Sequence, residues 1–199
     1  MTKTMTTTYQ STITKEELNA LPQLVYESRN IIIVDTLEKS DKACEYLEKC
    51  KILGFDTETK PTFARGVTNK VALIQLSAGD TCWLFRVNII GIPLSLARII
   101  SNKNILKVGL SLRDDYRSMA KRMKMVPQGF IDLQSVIKNV GIEDLSLQKM
   151  YGILFEKKIS KSQRLTNWEA PYLTEKQQMY AAIDAWACVD IYNKIKDEL

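Results

Sequence analysis

The chain has 199 residues, 45% hydrophobic and 26% charged, the composition of one globular domain with its own core rather than of a disordered, collagenous or coiled-coil chain. It contains no histidine. It can therefore build no Ser-His-Asp triad, Cys-His dyad or imidazole-ligated zinc site, and its chemistry must come from carboxylates, Tyr, Lys, Ser or Cys, with or without a hard metal. The net charge of +5 sits between Ser101 and Met125, where seven cations accompany two acids. Such a cluster fits either a phosphate backbone or a solvated helix face.

Cys44, Cys50, Cys82 and Cys188 contain no C-x-x-C pair, so free buried thiols in a reducing, cytoplasmic setting are expected rather than a zinc site. Seven of the first fourteen residues are threonine. Residues 1–14 are expected to be a mobile tail without the apolar stretch of a signal peptide. The longest apolar stretch, Val87 to Ile100, is broken by Asn88, Gly91, Pro93 and Arg98, and no membrane span is expected.

In chain order, Thr14 and Glu17 form a capping box that opens a short helix to about Leu21. This divides the chain into an N-terminal tail and helix, 1–22, and a main domain, 23–199. Ile31–Val34 is a β-branched strand. A helix follows, capped by Asp35 or Thr36. Ile52–Glu58, Val71–Leu76 and Thr81–Phe85 are three strands with short links, and the turn residues 77–80 suggest an antiparallel meander. Pro93 opens a helix to about Ile100, Ile105–Val108 is a strand, and Ser111–Met123 is a helix. Phe130–Leu133 is a short strand or the start of a helix. From residue 132 the pattern reads as helical almost to the end. The last helix starts at a Thr174/Gln177 capping box and runs towards Lys196. The whole is an α/β fold, a single sheet flanked by helices.

Three segments carry carboxylates in unusual places. Asp56 and Glu58 stand at i and i+2 on a strand and point to the same face. Either they lie in solvent beyond the strand's end, or their mutual repulsion is relieved by a divalent cation such as Mg²⁺ or Mn²⁺. Tyr180 and Asp184 share one face of a helix that is apolar on nearly every side. In the helix from Ser111, Asp115 lies beside the apolar stripe of Leu112, Tyr116 and Met119, whereas Asp114 turns about 100° away.

Together these motifs are recognisable. F-D-T-E-T at 55–59, V-G-L-S-L-R-D-D at 108–115 and Y-A-A-I-D-A at 180–185 resemble the three exonuclease motifs of the DEDD superfamily. The Tyr-x-x-x-Asp spacing is similar to its tyrosine branch, the ribonuclease D type. Lys161-Ser-Gln-Arg164, Asn167-Trp168, Leu173-Thr-Glu and Gln178 are similar to the exonuclease domain of the Werner syndrome protein. The resemblance covers roughly residues 30–195, without the C-terminal helical domains of ribonuclease D or the helicase of the Werner protein.

The resemblance implies a ribonuclease H-like mixed β-sheet flanked by α-helices and a metal-dependent 3′-5′ exonuclease acting on DNA and/or RNA 3′ ends. It implies two divalent cations, Mg²⁺ or Mn²⁺, held by Asp56, Glu58, Asp115 and Asp184, with Tyr180 orienting the attacking water. Lys161 and Arg164 are expected on substrate phosphates. Phe63 and Arg65 are expected beside the terminal nucleotide, and Trp168 under its loop rather than on a base. The alternative is a catalytically inactive nucleic-acid-binding module of the same fold.

Overall fold

A computed structural model describes residues 9–62 and 69–199. Its six strands are β1 (Asn30–Val34), β2 (Ile52–Thr59), β3 (Val71–Ala78), β4 (Thr81–Phe85), β5 (Leu106–Gly109) and β6 (Phe130–Asp132). They form one sheet in the order β1-β4-β3-β2-β5-β6. The β2-β3-β4 meander is antiparallel as its turn chemistry predicts, whereas β1 on β4, β5 on β2 and β6 on β5 pair in parallel. β3 therefore runs against the other five strands. The helices are α1 (Lys15–Ala20), α2 (Leu37–Leu47), α3 (Val87–Ile90), α4 (Leu94–Ser101), α5 (Leu112–Ala120), α6 (Leu133–Val136), α7 (Leu147–Phe155) and α8 (Glu175–Ile195).

Strand alternation divides the core between the two faces. Leu53 and Phe55 of β2 and Ile74 and Leu76 of β3 pack with Leu47, Leu96, Ile99 and Leu112, which puts α2, α4 and α5 on one side. On the other side, Leu73 and Leu84 pack with Ala181, Ala182, Ala185 and Trp186 of α8. The small residues of α8 let it press close to the sheet, and Gly54 completes the fit. A Cβ at Gly54 would lie 2.0 Å from the Ala185 carbonyl oxygen and 2.3 Å from Ser77 Oγ. Any other residue there would push helix from strand.

The capping boxes at Thr14 and Thr174 form as the sequence predicts, and Thr36 caps α2. Two expectations are corrected. Residues 9–14 are tied to the body: Ile13 is buried, its amide donates to Asp144 at 2.8 Å, and the Tyr9 hydroxyl donates to Glu198. Residues 156–174 are not helical. Glu156 takes a left-handed conformation that ends α7. Ser160 and Asn167 then accept hydrogen bonds from the nearby amides of Ser162 and Glu169, local bonds that compete with a helical ladder. This loop is moored by the buried Arg86, which donates to the carbonyls of Ala170 and Pro171.

The four cysteines are free, and Cys44, Cys82 and Cys188 are buried. Among the described residues no helix is long and apolar enough to cross a membrane.

Candidate active site

The C-terminal end of β2, the docked α8 and the start of α5 converge on one set of acids. Asp56, Glu58 and Asp184 each offer a carboxylate oxygen, and these oxygens lie within 4.8 Å of one another. Asp56 and Glu58 reach the α8 side of β2 because they share the face of Gly54, over which Ala185 passes. Asp184 is the residue before Ala185, so the close approach at Gly54 also fixes the third carboxylate.

Asp115 comes from α5, on the opposite side of the sheet, and stands outside that trio. It accepts a hydrogen bond from the Thr57 hydroxyl, the β2 residue between Asp56 and Glu58. The helix-face reading of 114 and 115 holds, since the Asp114 side chain is 88% exposed and pairs with Arg117 at 3.3 Å. The start of α5 is fixed from outside the helix. Ser111 adopts a left-handed φ of 56° with no cap of its own. The Asp132 carboxylate, at the end of β6, instead accepts from the amides of Ser111 and Leu112 at 3.1 and 3.0 Å, and from Gln134 at 3.0 Å where it caps α6. One carboxylate thus places the helix that carries Asp115.

The electrostatics are those of crowded carboxylates. Burial, then the charges of Asp184, Glu58 and Asp115, pushes Asp56 well above the usual carboxylate range. Burial and then Asp184 push Glu58 up to about 9, against the pull of Arg164. Burial raises Asp115 to about 7 despite the Thr57 hydrogen bond, with Asp114 adding to the rise. Burial likewise raises Asp184 to about 7, opposed by a hydrogen bond from Tyr180 and by Lys161. Among the described residues none of the four acids makes an ion pair with Lys or Arg. Close, shielded, all-oxygen ligands that no Lys or Arg pairs directly are what a hard divalent cation needs. The donor set fits such a cation.

Tyr180 sits one helical turn before Asp184, its ring 6.0 Å from that of the fully buried Trp168. Burial, then the charges of Asp184, Glu58 and Asp56, keeps its phenol protonated. Two clefts flank the acids. One, about 310 Å³, is lined by Asp56, Tyr180, Asp184, Lys161, Ser111 and Gln148 among others. The other, about 640 Å³, is lined by Glu58, Asp115, Thr59, Lys60, Arg117 and Lys121 among others.

Asp56, Glu58, Asp184 and Tyr180 are therefore brought together, with Asp115 beside them and Lys161 in the first cleft. Arg164 acts on Glu58 through its charge. Phe63 and Arg65 lie outside the described residues. Sequence reasoning missed Thr57, Asp132 and Gln75. Asp132 carries a legible signal, an Asp just before an apolar helical start. Gln75 pairs directly with Asp56 across the β2–β3 ladder and is fully buried, with neither amide atom hydrogen-bonded.

Carboxylates gathered at the end of a central strand, on a mixed sheet covered by helices, give a ribonuclease H-like fold whose acid cluster suits a divalent cation. A sequence model of the 3′-5′ exonuclease domain matches residues 31–199, and the chain belongs to this 3′-5′ exonuclease family. It is 32% identical over 150 residues to the bifunctional 3′-5′ exonuclease/ATP-dependent helicase WRN of Mus musculus, covering 72% of this chain and 11% of that protein. It is 32% identical over 161 residues to a 3′-5′ exonuclease of Arabidopsis thaliana, covering 73% of this chain and 52% of that protein. The chain thus spans about a tenth of the first relative's length and about half of the second's.

Among solved structures, Escherichia coli RNase D, an exoribonuclease involved in structured RNA processing, matches with a TM-score of 0.75 at 26% identity, over 85% of this chain and 45% of that one. The Aedes aegypti Nibbler EXO domain shares the fold with a TM-score of 0.79 at 24% identity, over 89% and 92% of the two chains.

Proposed function

We propose that this chain is a 3′-5′ exonuclease that hydrolyses the terminal phosphodiester of a nucleic acid strand and releases nucleoside monophosphates. The observation that carries this reading is the trio of Asp56, Glu58 and Asp184, whose oxygens lie within 4.8 Å of one another, with Asp115 alongside. Together the four acids would hold two divalent cations, Mg²⁺ or Mn²⁺. When bound, such ions supply Lewis acidity: they lower the pKa of the attacking water and stabilise charge on the leaving oxygen.

The chain's own residues do the rest. Tyr180, kept protonated, donates its hydroxyl hydrogen to Asp184 and orients the nucleophilic water by accepting a hydrogen bond from it rather than removing its proton. Lys161 and Arg164, on the loop moored by Arg86, meet the phosphate charge that the carboxylates would otherwise repel. Thr57 holds Asp115 in its rotamer. The face of α8 beside Gly54 excludes bulk water from the floor of the site. DNA and RNA are both candidate substrates, since their discrimination rests on contacts to one 2′-hydroxyl.

The test is digestion of a 5′-labelled single strand, as DNA and as RNA, with Mg²⁺ or Mn²⁺. A ladder of shortened products that disappears in Asp56→Ala supports the reading. Retention of the intact strand by the wild type instead identifies a binding module without activity.

A further inference from the structure

Among the described residues, the long polar side chains that the fold buries are Gln75, Arg86, Lys107 and Gln177. Three of them have partners. Arg86 donates to the carbonyls of Ala170 and Pro171, and Lys107 to those of Asn102 and Ile105 at 2.6 and 2.8 Å. Gln177 closes the α8 capping box and donates to the Thr166 hydroxyl at 3.0 Å. Gln75 has a partner at neither amide atom. Its strand, β3, is buried along its whole length. A buried amide without a hydrogen bond destabilises a fold, and an apolar side chain of the same length would serve this core better. Packing therefore gives no account of Gln75.

Its position does. Gln75 is the direct partner of Asp56 in the β2–β3 ladder, and the two share the sheet face of Gly54, over which Ala185 passes. Directly opposed side chains have Cβ atoms about 4.5–5.5 Å apart, which lets an amide nitrogen reach a carboxylate oxygen. Two of the other acids already have a hydroxyl beside them: Thr57 donates to Asp115 and Tyr180 to Asp184. The bond to Asp56 is a backbone one, from the amide of Thr57. The layer between β3 and α8 also holds donors in need of an acceptor, the indole N–H groups of Trp168 and Trp186 and the Ser77 hydroxyl. An amide has one oxygen and one nitrogen to divide between such donors and a carboxylate.

We propose that Gln75 is a positioning residue for the metal site: its Nε2 donates to the Asp56 carboxylate and fixes the orientation in which that carboxylate meets a divalent cation, while its Oε1 takes up the unpartnered donors around it. The inference rests on the exonuclease reading in so far as Asp56 is a metal ligand. Hydrogen bonds to ligating groups orient them, and losing one typically lowers metal affinity or activity by about 10- to 100-fold.

The experiment uses two variants. Gln75→Met keeps the length of the side chain and removes the amide. Gln75→Asn keeps the amide and leaves a space in the core. Melting curves are taken in a chelator, Mn²⁺ affinity is measured by isothermal titration, and digestion of a 5′-labelled single strand is followed across a Mn²⁺ series. Gln75→Met should melt at or above the wild type, because a buried unpaired amide is gone. It should bind Mn²⁺ about 10- to 100-fold more weakly and need correspondingly more Mn²⁺ for half-maximal digestion. KM for the strand at saturating Mn²⁺ should not change. Gln75→Asn should melt below the wild type and yet bind Mn²⁺ more tightly than Gln75→Met. Metal affinity and stability then rank the two variants in opposite orders, which a packing role cannot do.

Mn²⁺ affinity in Gln75→Met equal to that of the wild type overturns the proposal. So does a Gln75→Met that melts below the wild type, or a pair of variants whose metal affinities follow their melting temperatures. A wild type whose Mn²⁺ binding depends on Gln75 in this way, but which digests no strand, overturns the exonuclease reading and leaves the role of Gln75 standing.

Discussion

Gly54 lies so close beneath Ala185 that a Cβ on the glycine would come within 2.0 Å of the Ala185 carbonyl oxygen. The contact joins the strand bearing Asp56 and Glu58 to the helix bearing Asp184. Gly54→Ala must separate them, because a backbone carbonyl has no rotamer to yield. A cost of about 3 kcal/mol is expected, at the upper end for overpacking, or a fall in melting temperature of roughly 6–12 °C. Activity should fall further than the melting curve alone predicts, since the spreading occurs beside the site. Calorimetry paired with the strand-digestion assay checks both.

The crowded acids set a pH dependence. Burial raises Asp115 and Asp184 to about 7, and burial with the charges of Asp184 and Asp115 raises Glu58 to about 9. The folded chain therefore holds protons that the unfolded chain releases near pH 4. Without metal, the stability these three acids contribute is fully present at low pH and is lost as pH rises from about 4 through 9. Mg²⁺ or Mn²⁺ should restore the loss at the alkaline end. Melting curves in a chelator and in metal, taken across this range, read the effect. A metal-free protein whose melting temperature rises over the same window contradicts it.

Asp56→Asn removes one of the repelling charges. The metal-free protein should melt several degrees higher at pH 8 than the wild type, while metal-dependent digestion falls by at least about 100-fold. Stability and activity move in opposite directions in this variant.

Tyr180→Phe deletes the hydroxyl that reaches Asp184 and leaves the ring against Trp168. Turnover should fall by about 100-fold, the lower range for groups that manage a proton or a water, with the metal titration little changed. Unaltered turnover removes Tyr180 from the mechanism.

Asp132 receives three amide hydrogen bonds, two of them from the start of α5. Asp132→Ala should cost about 1–2 kcal/mol, as for a lost helix cap, and should weaken metal binding because Asp115 rides on the same helix. Asp132→Asn, which keeps an acceptor oxygen, should recover most of both. Isothermal titration with Mn²⁺ distinguishes the two variants.

Much of this arrangement is legible in the residues alone. The capping boxes at Thr14 and Thr174, the i, i+2 acids on β2 and the inward turn of Asp115 follow from helix and strand periods. Other parts lie beyond local pattern. The strand order β1-β4-β3-β2-β5-β6 depends on long-range pairing, and no spacing rule links Asp132 to the Ser111 amide. The loop at 156–174 reads as helix because its residues have ordinary helical propensity. It is made irregular by the hydrogen bonds of Ser160 and Asn167 and by Arg86 gripping its far end. Gln75 reads as one polar residue in an apolar strand, and only the β2–β3 register shows that it faces Asp56.

The dependence of the trio on α8 has a consequence for biogenesis. Asp56 and Glu58 sit on a hairpin strand that can pair while the chain is still being made. Their third companion arrives only with the long helix that closes the domain, far later in synthesis. A nascent chain on the ribosome therefore carries the hairpin with two of the three carboxylates, and the trio is complete only once the last helix has docked.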